Sequence, residues 1–120
     1  MLGEAETAAL ESLSERARLD FQTIADKVRL CRYAWSINRE EIDLCKEWLE
    51  LYCCPRATIN YRWGCAYNAK HSVERWTDKH KPKHHYISEF SFLAAALELG
   101  YQAKVRAHQM YFNIAQTVKI

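Results

Sequence analysis

The sequence predicts a single α+β domain: three or four helices packed around an aromatic and Cys-rich core, closed by a small C-terminal antiparallel β-hairpin. Three observations predict it. Apolar residues recur at steps of three and four through most of the chain, Pro or Gly stands where several of those patterns stop, and strict alternation of apolar with polar residues appears only after Gly100. At 120 residues the chain can bury one core but not two independent ones. One domain, 1–120, is expected, with a helical half at 1–54 and a helix, loop, helix and hairpin at 55–120.

The first segment, from about Glu4 to Tyr33, is rich in Ala, Leu, Glu and Arg and free of Pro and Gly, which favours helix. Leu13, Ala17, Phe21, Ile24, Val28 and Cys31 form an apolar stripe along it, and Ser12 or Ser14 is placed to divide it in two. A second helix starts at Asn38, an N-cap residue, with Glu41 three positions on in capping-box spacing and Ile37 and Ile42 placed as a hydrophobic staple. Ile42, Cys45, Trp48, Leu49 and Tyr52 line one face, and Pro55 ends the helix near Cys54. Trp63, Ala66, Tyr67, Val73 and Trp76 predict a third helix over 60–77, although Thr58, Ile59 and Tyr61 would suit a short strand. The stretch TDKHKPKHHY, broken by Pro82, reads as an exposed loop. Ser88 then caps EFSFLAAALELG, a core helix with Gly100 as its stop, and YQAKVR and QMYFNI form two strands around His108.

Composition narrows the function classes. Hydrophobic residues make up 49% and charged residues 27%, the profile of a folded chain. No apolar run approaches the ~20 residues that span a bilayer, and the N-terminus is acidic, so a cytoplasmic protein without a signal peptide or membrane contact is expected. Five Cys, at 31, 45, 53, 54 and 65, cannot all pair with one another, and reduced, mostly buried thiols are expected.

Four constellations bear on chemistry. His80, His84 and His85 lack the Cys-x-x-Cys or His-Glu-x-x-His partners of a zinc site, so a solvated loop without metal or cofactor is expected. Cys65 with His71 has the residue types of a thiol nucleophile and its base, but a structural Cys is the simpler reading. Lys70, His71 and Glu74 lie within about one helical turn, where one carboxylate can hold an imidazole and an ammonium. No second carboxylate, phosphate loop or metal motif accompanies them, so no enzymatic activity is expected. The net charge is only +2, yet Lys70, His71, Arg75, Lys79, His80, Lys81, Lys83, His84 and His85 gather near Trp76 and Tyr86, with Lys104 and Arg106 in reach from the hairpin. Such a face suits an acidic partner or a phosphate backbone.

The order AYNAKHSVERW, HYISEFSFLAAALELGY, MYFNI resembles a pattern of small proteins encoded by phages, prophages and plasmids. Tyr67, Lys70, His71, Glu74, Tyr86, Ser88, Phe92, Ala95, Gly100, Phe112 and Asn113 match it; Asn68 and Ala69 stand where it has Gly-Leu, and Glu89 and Phe90 where it has Asn-Gly. The resemblance covers about half the chain. It implies a mobile-element protein that acts by binding, such as an anti-CRISPR inhibitor of a host defence ribonucleoprotein complex. Many such inhibitors are acidic mimics of DNA; with a pI of about 8.3 this chain is expected to work by protein contact instead. The expected partner-binding face is Lys70, His71, Glu74, Arg75, Lys79, Lys81, Lys83, His84 and His85. The alternative is a small winged-helix-like DNA- or RNA-binding regulator using the same surface.

Overall fold

A computed structural model describes residues 3–28 and 36–117. The elements run α1 (Glu4–Glu11), α2 (Glu15–Lys27), α3 (Arg39–Tyr52), β1 (Cys53–Pro55), α4 (Ala66–His80), α5 (Glu89–Glu98), β2 (Ala103–Arg106), β3 (Gln109–Phe112) and β4 (Ile114–Gln116). The α+β class and the terminal hairpin are as the sequence predicts. The N-terminal segment divides where its serines stand: Ser12 closes α1, and the Ser14 side chain accepts the Ala17 N–H to open α2. Leu13, Ala17, Phe21 and Val28 of the apolar stripe are buried and Ile24 is half-buried; Cys31 lies outside the described residues.

α5 is the centre of the packing. Every residue from Glu89 to Leu97 is buried, and α2, α3 and α4 all pack on it. Its Ala-rich surface lets three helices approach closely, while Phe90 and Phe92 are its largest buried side chains. Phe90 meets Phe21 of α2 edge to face at 5.7 Å. Phe92 meets Trp48 at 6.2 Å, Trp63 at 6.3 Å and Phe112 at 5.3 Å. One aromatic seam therefore joins α3, the turn before α4, α5 and the hairpin.

Two features correct the sequence reading. The third helix begins at Ala66 rather than near Asn60, and it runs on to His80. Tertiary bonds take the groups that a longer helix would use: Asn60 donates its N–H to Phe112 C=O at 2.8 Å and its side-chain amide to Ile114 C=O at 2.9 Å. Gly64, at φ +118°, then turns the chain through a conformation closed to most side chains. The second feature is β1, which has no period-two signal in three residues and exists because it pairs antiparallel with β4, Cys53↔Gln116 to Pro55↔Ile114. β2 pairs with β3 in the expected hairpin.

Ala107 and His108 form the hairpin tip with φ of 52° and 63°, the two left-handed positions that a two-residue turn requires. Each costs a residue with a Cβ about 1 kcal/mol or more. Replacing them with the preferred pair, Ala107→Asn with His108→Gly, is expected to raise stability by about 1–2 kcal/mol. A urea midpoint that fails to rise at constant slope would count against the strain.

Arg39, at the start of α3, clamps Glu98 at the end of α5 with two bonds of 2.8 and 2.9 Å, and Lys46 adds a contact at 3.2 Å. Burial pushes the Glu98 carboxyl up, but the bonds from Arg39 and Lys46 outweigh it and hold the group below its usual range. A carboxyl lowered in the folded state binds fewer protons than in the unfolded chain, so its contribution is complete above the ordinary value of 4.5 and disappears as pH falls through the lower folded value. Glu98→Gln is expected to flatten this part of the acid limb; identical midpoint-against-pH curves below pH ~5 would rule the clamp out as its source.

Candidate functional site

Tyr67, Lys70, His71 and Glu74 follow one another at helical spacing on α4, and the fold turns that side toward the chain entering α5. Glu74 is the hub. Its Oε1 lies 2.8 Å from His71 Nδ1, and its Oε2 accepts the Ile87 N–H at 3.1 Å with Lys70 Nζ at 3.6 Å. The Lys70 ammonium sits over the Tyr86 ring at 4.9 Å and the Tyr67 ring at 5.7 Å, and the His71 ring meets Tyr67 edge to face at 4.6 Å. Lys70 is only 7% exposed, so cation–π attraction and the carboxylate together replace water around it.

A second carboxylate performs the matching task one residue on. Glu41 Oε1 accepts the Ser88 N–H at 2.8 Å, and its Oε2 accepts from the Asn38 side-chain amide. This corrects the simple capping box: Asn38 does accept the Glu41 N–H, at 2.9 Å, but the Glu41 carboxylate joins the two helix starts instead of returning to the Asn38 backbone. Burial pushes the Glu41 carboxyl up, against the bonds from Ser88, Ser91 and Asn38 that favour its charged form. Glu89 is also buried, which pushes its carboxyl up, while the charges of Lys70 and His71 oppose that rise. Ser88 completes the joint by accepting the Ser91 N–H at 3.0 Å.

The predicted basic face is thus divided. Lys70 and Glu74 turn into this joint, with side chains 9% and 12% exposed, while His71 stays half-exposed at its edge. In the loop, Lys81 is held by Glu47 at 2.9 Å and lies over Trp76, His84 bonds Asp78 at 2.6 Å, and His85 lies 3.3 Å from Glu40. Arg75, Lys79 and Lys83 are exposed. Arg75 and Lys79 share a groove of about 460 Å³ with Tyr52, Ser72, Trp76, His80 and Gln116, where the Arg75 guanidinium donates to Ser72 Oγ at 3.1 Å. Among the described residues no carboxylate lines it. Tyr52 and Gln116 have no motif to announce them; the pairing of β1 with β4 is what places the end of β4 beside α4.

Of the four described cysteines, Cys45 and Cys53 are buried, and Cys54 and Cys65 are half-buried. Cys45, Cys53, Cys54 and Cys65 are free thiols. Burial pushes the Cys45 thiol well up and, with the neighbouring Cys54 adding to it, raises Cys53 to about 12, so neither is a thiolate at neutral pH. Cys65 bridges to Tyr111 of β3 through its backbone at the start of α4. Among the described residues no group of three His, Cys, Asp or Glu is placed to hold a metal, and no helix is long and apolar enough to cross a membrane. Comparisons with protein-family models, curated proteins and solved structures find no match to this chain.

Glu74→Ala orphans the Ile87 N–H and leaves buried Lys70 without its carboxylate, and Glu41→Ala orphans the Ser88 N–H. Each is expected to lower stability by about 2–4 kcal/mol, whereas His71→Ala should cost under about 1 kcal/mol. Denaturant titrations in which His71→Ala proved as damaging as Glu74→Ala would overturn this ranking of the cluster.

Proposed function

We propose that this chain is a mobile-element-encoded, non-enzymatic binding protein that acts in a bacterial cytoplasm by inhibiting a host defence nucleoprotein complex through protein contact. The observation that carries the binding part is the groove beside α4. Arg75, Lys79 and His80 converge there with no carboxylate among the described lining residues, while half-buried Tyr52 and the edge of buried Trp76 form the aromatic part of the wall. Most of the neighbouring basic groups lie against carboxylates of the same chain. A surface of this kind favours an acidic counterpart, by long-range steering and by desolvated contact at the ring edges. The non-enzymatic part is supported by the structural work Glu74 does for the Ile87 N–H and Lys70, and by the lack of a second carboxylate, phosphate loop or metal motif beside it in the sequence. The mobile-element setting rests on the resemblance of Tyr67, Lys70, His71, Glu74 and the residues after them.

A direct nucleic-acid regulator is the second reading, favoured by one observation. The order α3, β1, α4, α5, β2, β3, with β1 tied to the strand that continues the hairpin, is the order of a winged helix-turn-helix. Against it, α5, which would be the recognition helix, is buried along its length, and eight residues separate it from α4 in place of a tight turn.

Tagged protein used as bait in a bacterial host lysate, with and without nuclease, tests both. Capture of one defence complex that survives nuclease and is lost in Arg75→Glu/Lys79→Glu is the expected result. Recovery of nucleic acid alone, with affinity for bare DNA or RNA falling steeply with salt, would transfer the groove to the regulator.

A further inference from the structure

β2 is an edge strand with unused bonding capacity. Its register against β3 runs from Ala103↔Phe112 to Arg106↔Gln109, and Asn113 donates its N–H to Gln102 C=O at 3.3 Å. Bonded and non-bonded pairs alternate along an antiparallel ladder, so Lys104 and Arg106 turn their backbone groups toward β3 while Ala103 and Val105 turn theirs outward. Phe112 agrees with that phase: its C=O faces away from β2 and accepts the Asn60 N–H. Among the described residues nothing bonds the outward groups of Ala103 and Val105.

Beside this edge lies a groove of about 710 Å³, whose walls include Asp20, Thr23 and Ile24 of α2, Leu97 of α5, and Ala103 and Lys104 of β2. An added strand would lie about 4.8 Å from β2 with alternate side chains over α2. The two faces of β2 state what such a strand should carry. Ala103 and Val105 share the inner face with buried Phe112 and Met110, while Lys104 and Arg106 stand on the outer face, exposed, Arg106 over the Tyr61 ring at 4.7 Å. A second copy of the chain fits poorly, because two-fold antiparallel pairing through Ala103 and Val105 sets Lys104 directly opposite its own counterpart.

We propose that the outer edge of β2 takes an extended partner segment as an added strand, with acidic residues opposite Lys104 and Arg106 and small apolar residues between them. This surface is separate from the α4 groove and stands or falls independently of it. The probes are two capped eight-residue peptides, one alternating Glu with Val and one alternating Lys with Val, followed by NMR titration and amide hydrogen exchange on the full chain. The Glu peptide should bind saturably and slow exchange at Ala103 and Val105 by about tenfold or more, and the Lys peptide should not. Val105→Pro, which removes an outward N–H, should abolish binding, and Lys104→Glu with Arg106→Glu should reverse the peptide preference without touching the backbone. Arg75→Glu/Lys79→Glu should bind the Glu peptide as the parent does. Unchanged exchange at Ala103 and Val105, equal binding of both peptides, or protection that depends on protein concentration alone and so reports self-pairing, would each overturn the proposal.

Discussion

A helix buried on every side cannot hand its end groups to water, and the architecture here is arranged around that constraint. α5 contributes nearly all of its surface to the core, so the amides at its entrance must find acceptors within the protein. Ile87 finds Glu74 of α4, Ser88 finds Glu41 of α3, and Ser91 finds the hydroxyl of Ser88. Both carboxylates also lie at the positive end of the α5 dipole, where negative charge is favoured. Two neighbouring helices are thereby fixed to the third by polar bonds at one end. At the other end Arg39 and Lys46 of α3 reach Glu98.

This reading accounts for residues that otherwise look like a catalytic set. Tyr67, Lys70, His71 and Glu74 surround the entrance to α5, Tyr86 covers the buried ammonium, and Ser88 caps the helix. Gly100 takes the positive φ that ends it, at +89°. Asn113 then ties three segments: its side chain donates to Arg56 C=O at 2.9 Å and accepts the Gln102 N–H at 2.7 Å, while its backbone C=O accepts the Arg56 N–H. The residues that carry the resemblance to mobile-element proteins are therefore largely those that build the joint between α4, α5 and the terminal strands. That resemblance speaks first about fold, and the surfaces proposed for binding lie on more ordinary positions nearby.

The same economy of charge separates interior from surface. Acidic side chains of α3 and α4 face Lys81, His84 and His85, so a cluster that is continuous in the sequence becomes mostly self-neutralised in space. What stays open is a short stretch of α4, Lys83 in the loop and the outer face of β2. α2 packs against α5, so the helix that a DNA-reading winged helix with the same order of elements would place in a groove is covered here.

Local signals were enough for much of the fold. Ser14, Asn38 and Ser88 stand at helix starts and their side chains accept the expected amides, because an N-cap is a contact between residues three apart. Gly100 as a stop and the alternation around His108 are equally short-range. The start of α4, the existence of β1 and the membership of the α4 groove were not legible, because each depends on bonds from residues 53–60 to the C-terminal strands across more than fifty positions. Charge was the least legible property. The spacing in the sequence determined that Lys70 and Glu74 would be ionisable neighbours on one helix, but only the tertiary structure decided that the chain entering α5 would arrive beside them, burying Lys70 and leaving Glu74 little exposed, since a buried amide and a buried ammonium each require an acceptor that water can no longer supply.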